Sequence, residues 1–443
     1  MSALNVLSLR RWAQLDTAEQ QRIMARATAG ILDPKLLASI GEIYADVAAR
    51  GDQAVADATA KFDKVTIAAD DLLVSQAEID AAHANIDPKL LDAIRFGIES
   101  VRAFNEAQLA ASPNWRKEIR PGVTVGERHH PIPSVGLFVP CGKGSYPSVL
   151  VMIGTPAVVA GVTEITVVVP PLPGTTTVDP GVLATAKELG ITRVLRANGP
   201  AGVAAVVLGT QTIGKVSKIV GPGSPAVTAA QILAQIHGVG TNMLCGPSES
   251  LILADDSIDP IRLTADLLNE AEHGADSAAL LVTNSMAVIE AVDKELVRQV
   301  GALPEPRASY ARSALSNLGG AFLFDTMDEA VAFAGDYAPE HMQIATANPD
   351  ATFAKLTYAG EVLLGQHSPV SAANFTIGVP ATLPTGGFAR INGGVTSRTF
   401  MTTASIGELT EDGLRSLAPA TLALADHEGF PAHANALRIR GMG

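Results

Sequence analysis

At 443 residues the chain exceeds the size at which one hydrophobic core stops growing, so at least two domains are expected. Hydrophobic residues make up 47% and charged residues 17%, which excludes a disordered chain. The net charge of −13 supplies no basic stripe, so nucleic-acid binding is not expected.

Met1 to Asp16 contains no continuous apolar run before a small-residue cleavage site, so no signal peptide is expected. The two cysteines, Cys141 and Cys245, lie too far apart to suggest a disulfide framework or a cysteine metal site. Both features fit a cytoplasmic location. Residues 8–110 read as helical, with Pro34 and Pro88 as first-turn prolines. At Val135-Gly-Leu-Phe-Val139 the texture changes, and short β-rich runs begin to alternate with helical ones. The apolar stretch Val149 to Val169 is broken by Gly154, Pro156 and Gly161. It reads as a helix followed by a strand, not a membrane span.

Further strands are expected at Glu164–Pro170, Arg193–Asn198, Lys218–Val220 and Ser250–Ala254. Others are expected at Ala278–Thr283, Ala321–Asp325, Met342–Ala345 and Glu361–Leu364. The helical segments between them argue for an α/β protein with parallel sheets wrapped by helices. From about Ile391 the texture returns to helix and loop, as in an appendage.

Two glycine-rich loops follow strands, Pro140-Cys-Gly-Lys-Gly-Ser145 and Gly221-Pro-Gly-Ser-Pro225. Backbone N–H groups there could face a phosphate, but neither loop is a dinucleotide fingerprint or a Walker A motif. Tight turns explain them equally well.

Glu270 and His273 are three apart at the end of a helix running from Pro260 to Glu272, so they share a face. Carboxylate plus imidazole suits zinc. A histidine capping the last turn beside Gly274 would show the same spacing. Glu340-His341 pairs an acid with an imidazole, two proton carriers of different pKa, or else caps a loop before the next strand. His129 and His130 read as surface loop residues. Glu428 and His433 have no partner nearby in sequence.

Several strings, in this order, resemble the histidinol dehydrogenase family. They are Val135-Gly-Leu-Phe-Val-Pro140, Tyr146-Pro-Ser-Val-Leu-Val-Met152, Pro156-Ala-Val-Val-Ala-Gly-Val162 and Gly221-Pro-Gly223. They continue with Cys245-Gly-Pro-Ser-Glu249, Glu270-Ala-Glu-His-Gly-Ala-Asp-Ser277, Ala338-Pro-Glu-His341, Leu383-Pro-Thr385 and Glu428-Gly-Phe-Pro-Ala-His433. The resemblance spans nearly the whole chain.

The resemblance implies two incomplete Rossmann-like α/β domains, one inserted in the other, plus helical arms. The bounds would be 1–30 for an N-terminal arm and 31–134 with 246–388 for a metal-binding catalytic domain. Residues 135–245 would form the inserted NAD-binding domain, and 389–443 a dimerisation arm. It also implies an intertwined homodimer in which the C-terminal arm crosses to the partner, a bound zinc ion, and two hydride transfers to NAD. The matching zinc positions are Glu270, His273, Asn374 and His433. The family holds glutamine where Glu270 stands and aspartate where Asn374 stands, so the pair keeps one carboxylate and one amide. The matching proton carriers are Glu340 and His341. Ser248 and Glu428 match substrate contacts, and the metal ligands with His341 would also line the substrate site.

Other positions depart from the family. Phe138 replaces a tyrosine, Ala201 a glutamine and Ser224 an asparagine in the NAD site. Pro369-Val370-Ser371 lacks a carboxylate, and Pro380-Ala381 lacks an Asn-His pair. Losing placed polar groups shifts specificity. The departures therefore point to a zinc-dependent, NAD-linked dehydrogenase of another small alcohol, an amino alcohol or a substituted diol such as a sulfonated propanediol. The alternatives are authentic histidinol dehydrogenase and a non-catalytic ligand-binding or scaffold homologue.

Overall fold

A computed structural model describes residues 4–26, 33–142, 144–243 and 245–442. Lys143 of the first glycine-rich loop therefore lies outside the described residues. Strands are labelled in chain order: β1 (Leu9–Arg11), β2 (Trp115–Arg120), β3 (Val123–Pro131), β4 (Ser134–Phe138) and β5 (Glu164–Val169). Then come β6 (Arg193–Arg196), β7 (Lys218–Val220), β8 (Gly240–Thr241), β9 (Glu249–Ala254) and β10 (Ala278–Thr283). The last are β11 (Gly320–Leu323), β12 (His341–Ala345), β13 (Glu361–Leu364) and β14 (Met401–Leu409).

Among the described residues these strands form three sheets. One is parallel, in the order β6-β5-β4-β7-β8. The second is parallel, in the order β1-β11-β10-β9-β12-β13. Leaving β1 aside, both follow the doubly wound order 3-2-1-4-5 of dinucleotide-binding folds, without a sixth strand. Strands such as Glu249–Ala254 and Ala278–Thr283 are buried along their whole length, which explains their nearly continuous apolar sequence. Each fully buried Leu, Ile or Val there contributes roughly 1.5–3 kcal/mol.

Helix starts obey a repeated rule. Asp33, Asp87, Asp179 and Asp259 each precede a proline at the first helical position. Each aspartate side chain accepts a backbone N–H of the first turn. Pro34 and Pro88 are thus first-turn prolines, as read from the sequence. The apolar stretch divides into the helix Pro147–Ala160 and β5, turned at Gly161 with φ 88°. Among the described residues no helix is long and apolar enough to cross a membrane.

Four expectations change. Residues 9–11 are not helical: they form β1, the edge strand beside β11. Asp293 anchors this segment by accepting the N–H groups of Asn5, Val6 and Leu7 at 2.7–2.9 Å. Second, the helices between residues 34 and 110 cover both faces of the five-stranded sheet, not the six-stranded one expected for 31–134. Ile40, Tyr44 and Val55 pack with Val168 and Leu195, and Ile94, Ile98 and Val101 with Leu137 and Val167. Third, His129 and His130 lie in β3, which pairs with β14 along nine residues. Fourth, the C-terminal appendage therefore includes a strand. β14 is largely solvent-exposed, so its sequence carries no apolar alternation, and its pairing with β3 decides its conformation.

Candidate active site

The site begins on one face of the six-stranded sheet. Along β12, Met342 and Ile344 enter the core on one side, while His341 and Gln343 face the other. The helix Pro260–Ala271 covers that second face, and Gln343 donates to Asp266 of this helix at 2.9 Å. One turn further on, Glu270 is buried, at 1% exposure. It lies within electrostatic reach of both Glu340 and His341.

Ser250, His341 and Glu361 stand in register on β9, β12 and β13, at the amino ends of the strands. Gly360 permits this arrangement: a Cβ there would lie 2.5 Å from the Glu340 carbonyl oxygen. His341 Nδ1 is hydrogen-bonded to Glu361 Oε1. Its Nε2 lies 3.8 Å from Glu340 Oε1. Glu340 Oε2 accepts the backbone N–H of Glu249 at 2.9 Å.

Burial pushes the Glu340 carboxyl up to about 8 against the pull of His341, with Glu270 adding to the rise. Burial disfavours a charged His341, but the negative charges of Glu270 and Glu340 and the bond to Glu361 outweigh it, and its pKa rises to about 10. The two adjacent groups are of opposite charge type and both strongly perturbed by burial and by each other, a pattern that clusters at acid–base sites.

Three of the four expected metal positions come together. Asn374 Nδ2 donates to Glu270 Oε1 at 2.9 Å, and His273 Nδ1 lies 3.3 Å from Glu270 Oε2. His273 sits just past the helix end and Nδ1 bonds the Asn269 carbonyl at 2.9 Å. The capping and metal readings are therefore compatible, because a protonated Nδ1 leaves Nε2 as the metal-binding nitrogen. An imidazole, a carboxylate and an amide oxygen fit zinc. Asn374 lies in the short helix Val370–Phe375. The fourth position, His433, is in the exposed helix Pro431–Arg438, with its ring 5.0 Å from Phe430. Among the described residues it makes no hydrogen bond or ion pair with the other three, and no group of three His, Cys, Asp or Glu is poised for a metal. Glu428 ends the preceding helix and is likewise exposed.

The five-stranded sheet has its switch point between β4 and β7, where such sheets take a dinucleotide at their carboxyl ends. Phe138 ends β4, and Gly221–Ser224 follows β7. A Cβ on Gly221 would meet the Phe138 backbone at 2.1 Å, so only glycine allows this close approach. Helices starting at Gly199 and Pro225 open toward this edge. That arrangement fits a dinucleotide pyrophosphate, which helix N-termini favour. The expected contacts need correcting, however. Phe138 and Ala201 are buried in the sheet's core, because Phe138 packs under Gly199 and Gly223, while Ser224 is exposed. Phe138 and Ala201 therefore lie beneath the surface at this edge.

The loop Cys245–Ser248 connects the two regions. Thr228, in the helix from Pro225, donates to the Cys245 carbonyl. Gly246 N–H donates to Thr385 in the Leu-Pro-Thr segment, and the Ser248 carbonyl accepts from Ala278. Both cysteines are free, and burial raises the Cys245 thiol far above its usual value.

Sequence reasoning missed three site residues. Glu361 was read only as a strand start, although a carboxylate opening a buried parallel strand is itself a signal. Glu249 and Arg26 form an ion pair at 3.4 Å with side chains only 4% and 3% exposed. Arg26 also lies over the Tyr337 ring at 3.6 Å. Nothing in the local sequence around Arg26 indicates this role.

Two sheets of dinucleotide-binding topology and a buried acid–base pair beside Glu270 are the features of a proton-transferring, nucleotide-dependent enzyme class. The histidinol dehydrogenase family model matches residues 29–441. A histidinol dehydrogenase homolog of Colwellia psychrerythraea is 40% identical, covering 95% of this chain and 94% of its own. The histidinol dehydrogenase of Synechocystis is 40% identical, covering 96% and 97%. The crystal structure of histidinol dehydrogenase from Elizabethkingia anophelis superposes with a TM-score of 0.92 at 32% identity, covering 99% of each chain. The chain belongs to the histidinol dehydrogenase family, a family of NAD-dependent oxidoreductases that generally bind zinc.

Proposed function

We propose that the protein oxidises L-histidinol to L-histidine in two NAD-linked steps. The observation that carries this reading is the buried Glu340–His341 pair beside Glu270, within a chain alike end to end to proteins named histidinol dehydrogenase. Nε2 of His341 takes the hydroxyl proton as hydride leaves the carbinol carbon for the nicotinamide. Glu340 then removes a proton from water as it adds to the aldehyde, and the hydrate gives up a second hydride to become the carboxylate. Glu270, His273 and Asn374 would hold zinc, with His433 from a second copy of the chain as fourth ligand. Bound zinc supplies polarisation of the substrate oxygen and counters the anionic charge around His341.

The homodimer belongs to the same proposal. Leu424, Phe430 and Ile439, in and beside the C-terminal helices, are 61%, 49% and 75% exposed, apolar surface that a second copy would cover. That arrangement would bring His433 and Glu428 to the neighbouring site.

A second reading is oxidation of another small amino alcohol or a substituted diol. It is favoured by Val370, which packs with Leu363 and Ala373 where the family has a carboxylate, and by Pro380 and Ala381. The test is NADH formation by zinc-loaded protein with histidinol and with a panel of diols and amino alcohols. The proposal expects about two NADH per histidine formed, from the two hydride steps. A kcat/KM for histidinol roughly 100-fold below that of a diol would transfer the assignment, since that gap is the discrimination a rebuilt pocket gives. No NADH with any substrate would point to a non-catalytic homologue.

A further inference from the structure

Glu361 is buried, with its side chain 4% exposed, and so is that of His341, at 4%. They are in-register neighbours on parallel strands, and β12 and β13 hold them side by side on the face covered by the helix Pro260–Ala271. His341 Nδ1 and Glu361 Oε1 share a hydrogen bond. Glu361 Oε2 has no hydrogen-bond partner among the described residues, nor does the hydroxyl of Ser250, the in-register residue on the opposite side of His341. Among the described residues, Glu361 makes its ion pair with His341. A carboxylate buried with so few partners is costly, and an apolar residue would fill the start of β13 with less penalty. Holding the imidazole accounts for its presence.

We propose that Glu361 is a positioning residue that fixes the His341 ring with its proton on Nδ1, leaving Nε2 as the nitrogen that accepts the substrate proton. This rests on the reading of His341 as the base for an alcohol. The hydroxyl proton moves to Nε2 while hydride leaves the carbinol carbon for the nicotinamide. Glu361 neither gains nor loses a proton, and its charge stabilises the imidazolium that forms. A carboxylate that orients a catalytic imidazole in this way acts on the rate of the step rather than on substrate affinity.

The test combines kinetics with 15N NMR of the ring nitrogens in zinc-loaded protein, with the His341 signals identified by their loss in His341→Asn. Glu361→Gln keeps shape and removes charge, while its amide can still accept from Nδ1 or, turned over, donate to it. Glu361→Leu removes the acceptor, should the glutamine distort the strand. In the wild type, raising the pH should strip the proton from Nε2 and leave Nδ1 protonated. In Glu361→Leu, where Nδ1 has lost its acceptor, the retained proton should move to Nε2. Turnover should fall about 100-fold with KM changed less than about threefold, the range for removing a partner that orients a ligand or base.

Unchanged ring shifts in Glu361→Leu, a wild-type ring that keeps its proton on Nε2, or a loss confined to KM would each overturn the proposal. If wild-type protein oxidises no alcohol, the functional reading fails, yet the ring shifts still decide the role of Glu361.

Discussion

Replacing Arg26 by methionine tests how the N-terminal segment is coupled to the proton carriers. Arg26 lies 3.4 Å from the Glu249 carboxylate, a charge contact without hydrogen-bond alignment, and stacks over Tyr337 at 3.6 Å. At an effective dielectric of 20 the pair attracts by about 5 kcal/mol, and desolvation of both groups offsets much of that. Methionine would leave the carboxylate buried with only backbone N–H groups beside it, Gly386 at 2.8 Å and Glu340. The expected cost at pH 8 is about 3–5 kcal/mol, the range for breaking a buried pair.

The sign of the pH dependence follows from Glu249. Burial already raises its carboxyl above the usual range, against the pull of Arg26. Without Arg26 it rises further, so the folded state binds a proton that the unfolded state has released. Stability of the variant then falls as pH climbs from the unfolded value near 4.3 through the raised folded value. The deficit should be smallest near pH 4.5 and largest above pH 7. Urea unfolding at both pH values, with Glu249→Gln and the double variant, completes the cycle. Glu249→Gln should recover roughly half of the loss, because the uncompensated charge is gone. A deficit below about 1 kcal/mol at pH 8, or strict additivity, would refute the coupling.

Two further outcomes follow from the site. Glu270→Gln should weaken zinc binding, and Asn374→Asp, 2.9 Å away, should strengthen it. The double change should bind about as well as the starting protein, and chelator competition showing simple additivity would mean that the two positions do not share an ion. Refolded mixtures of His433→Ala and His341→Ala chains should regain activity, because one of the two hybrid sites would carry both native residues. If such mixed dimers form and stay inactive, the shared site is wrong.

Most strand and helix positions from Val135 to Leu364 were legible because buried parallel strands need continuous apolar runs and the helices between them begin with strong caps; the two-residue β8 was not. Helical spacing put Glu270 and His273 on one face and adjacency paired Glu340 with His341, but only the family resemblance pointed to their metal and proton-carrier roles. Other features depended on long-range pairing. β1 is three residues long and gains its conformation from β11. β14 is largely exposed and is ordered by β3. The helices of residues 34–110 carry amphipathic patterns that say which face is buried but not which sheet buries it. Arg26 meets Glu249 across more than 200 residues, and Glu361 reaches His341 only because parallel register places them side by side. Periodicity encodes which residues turn inward. The partner that each inward residue meets is set by how the sheets are threaded, which no local stretch of sequence contains.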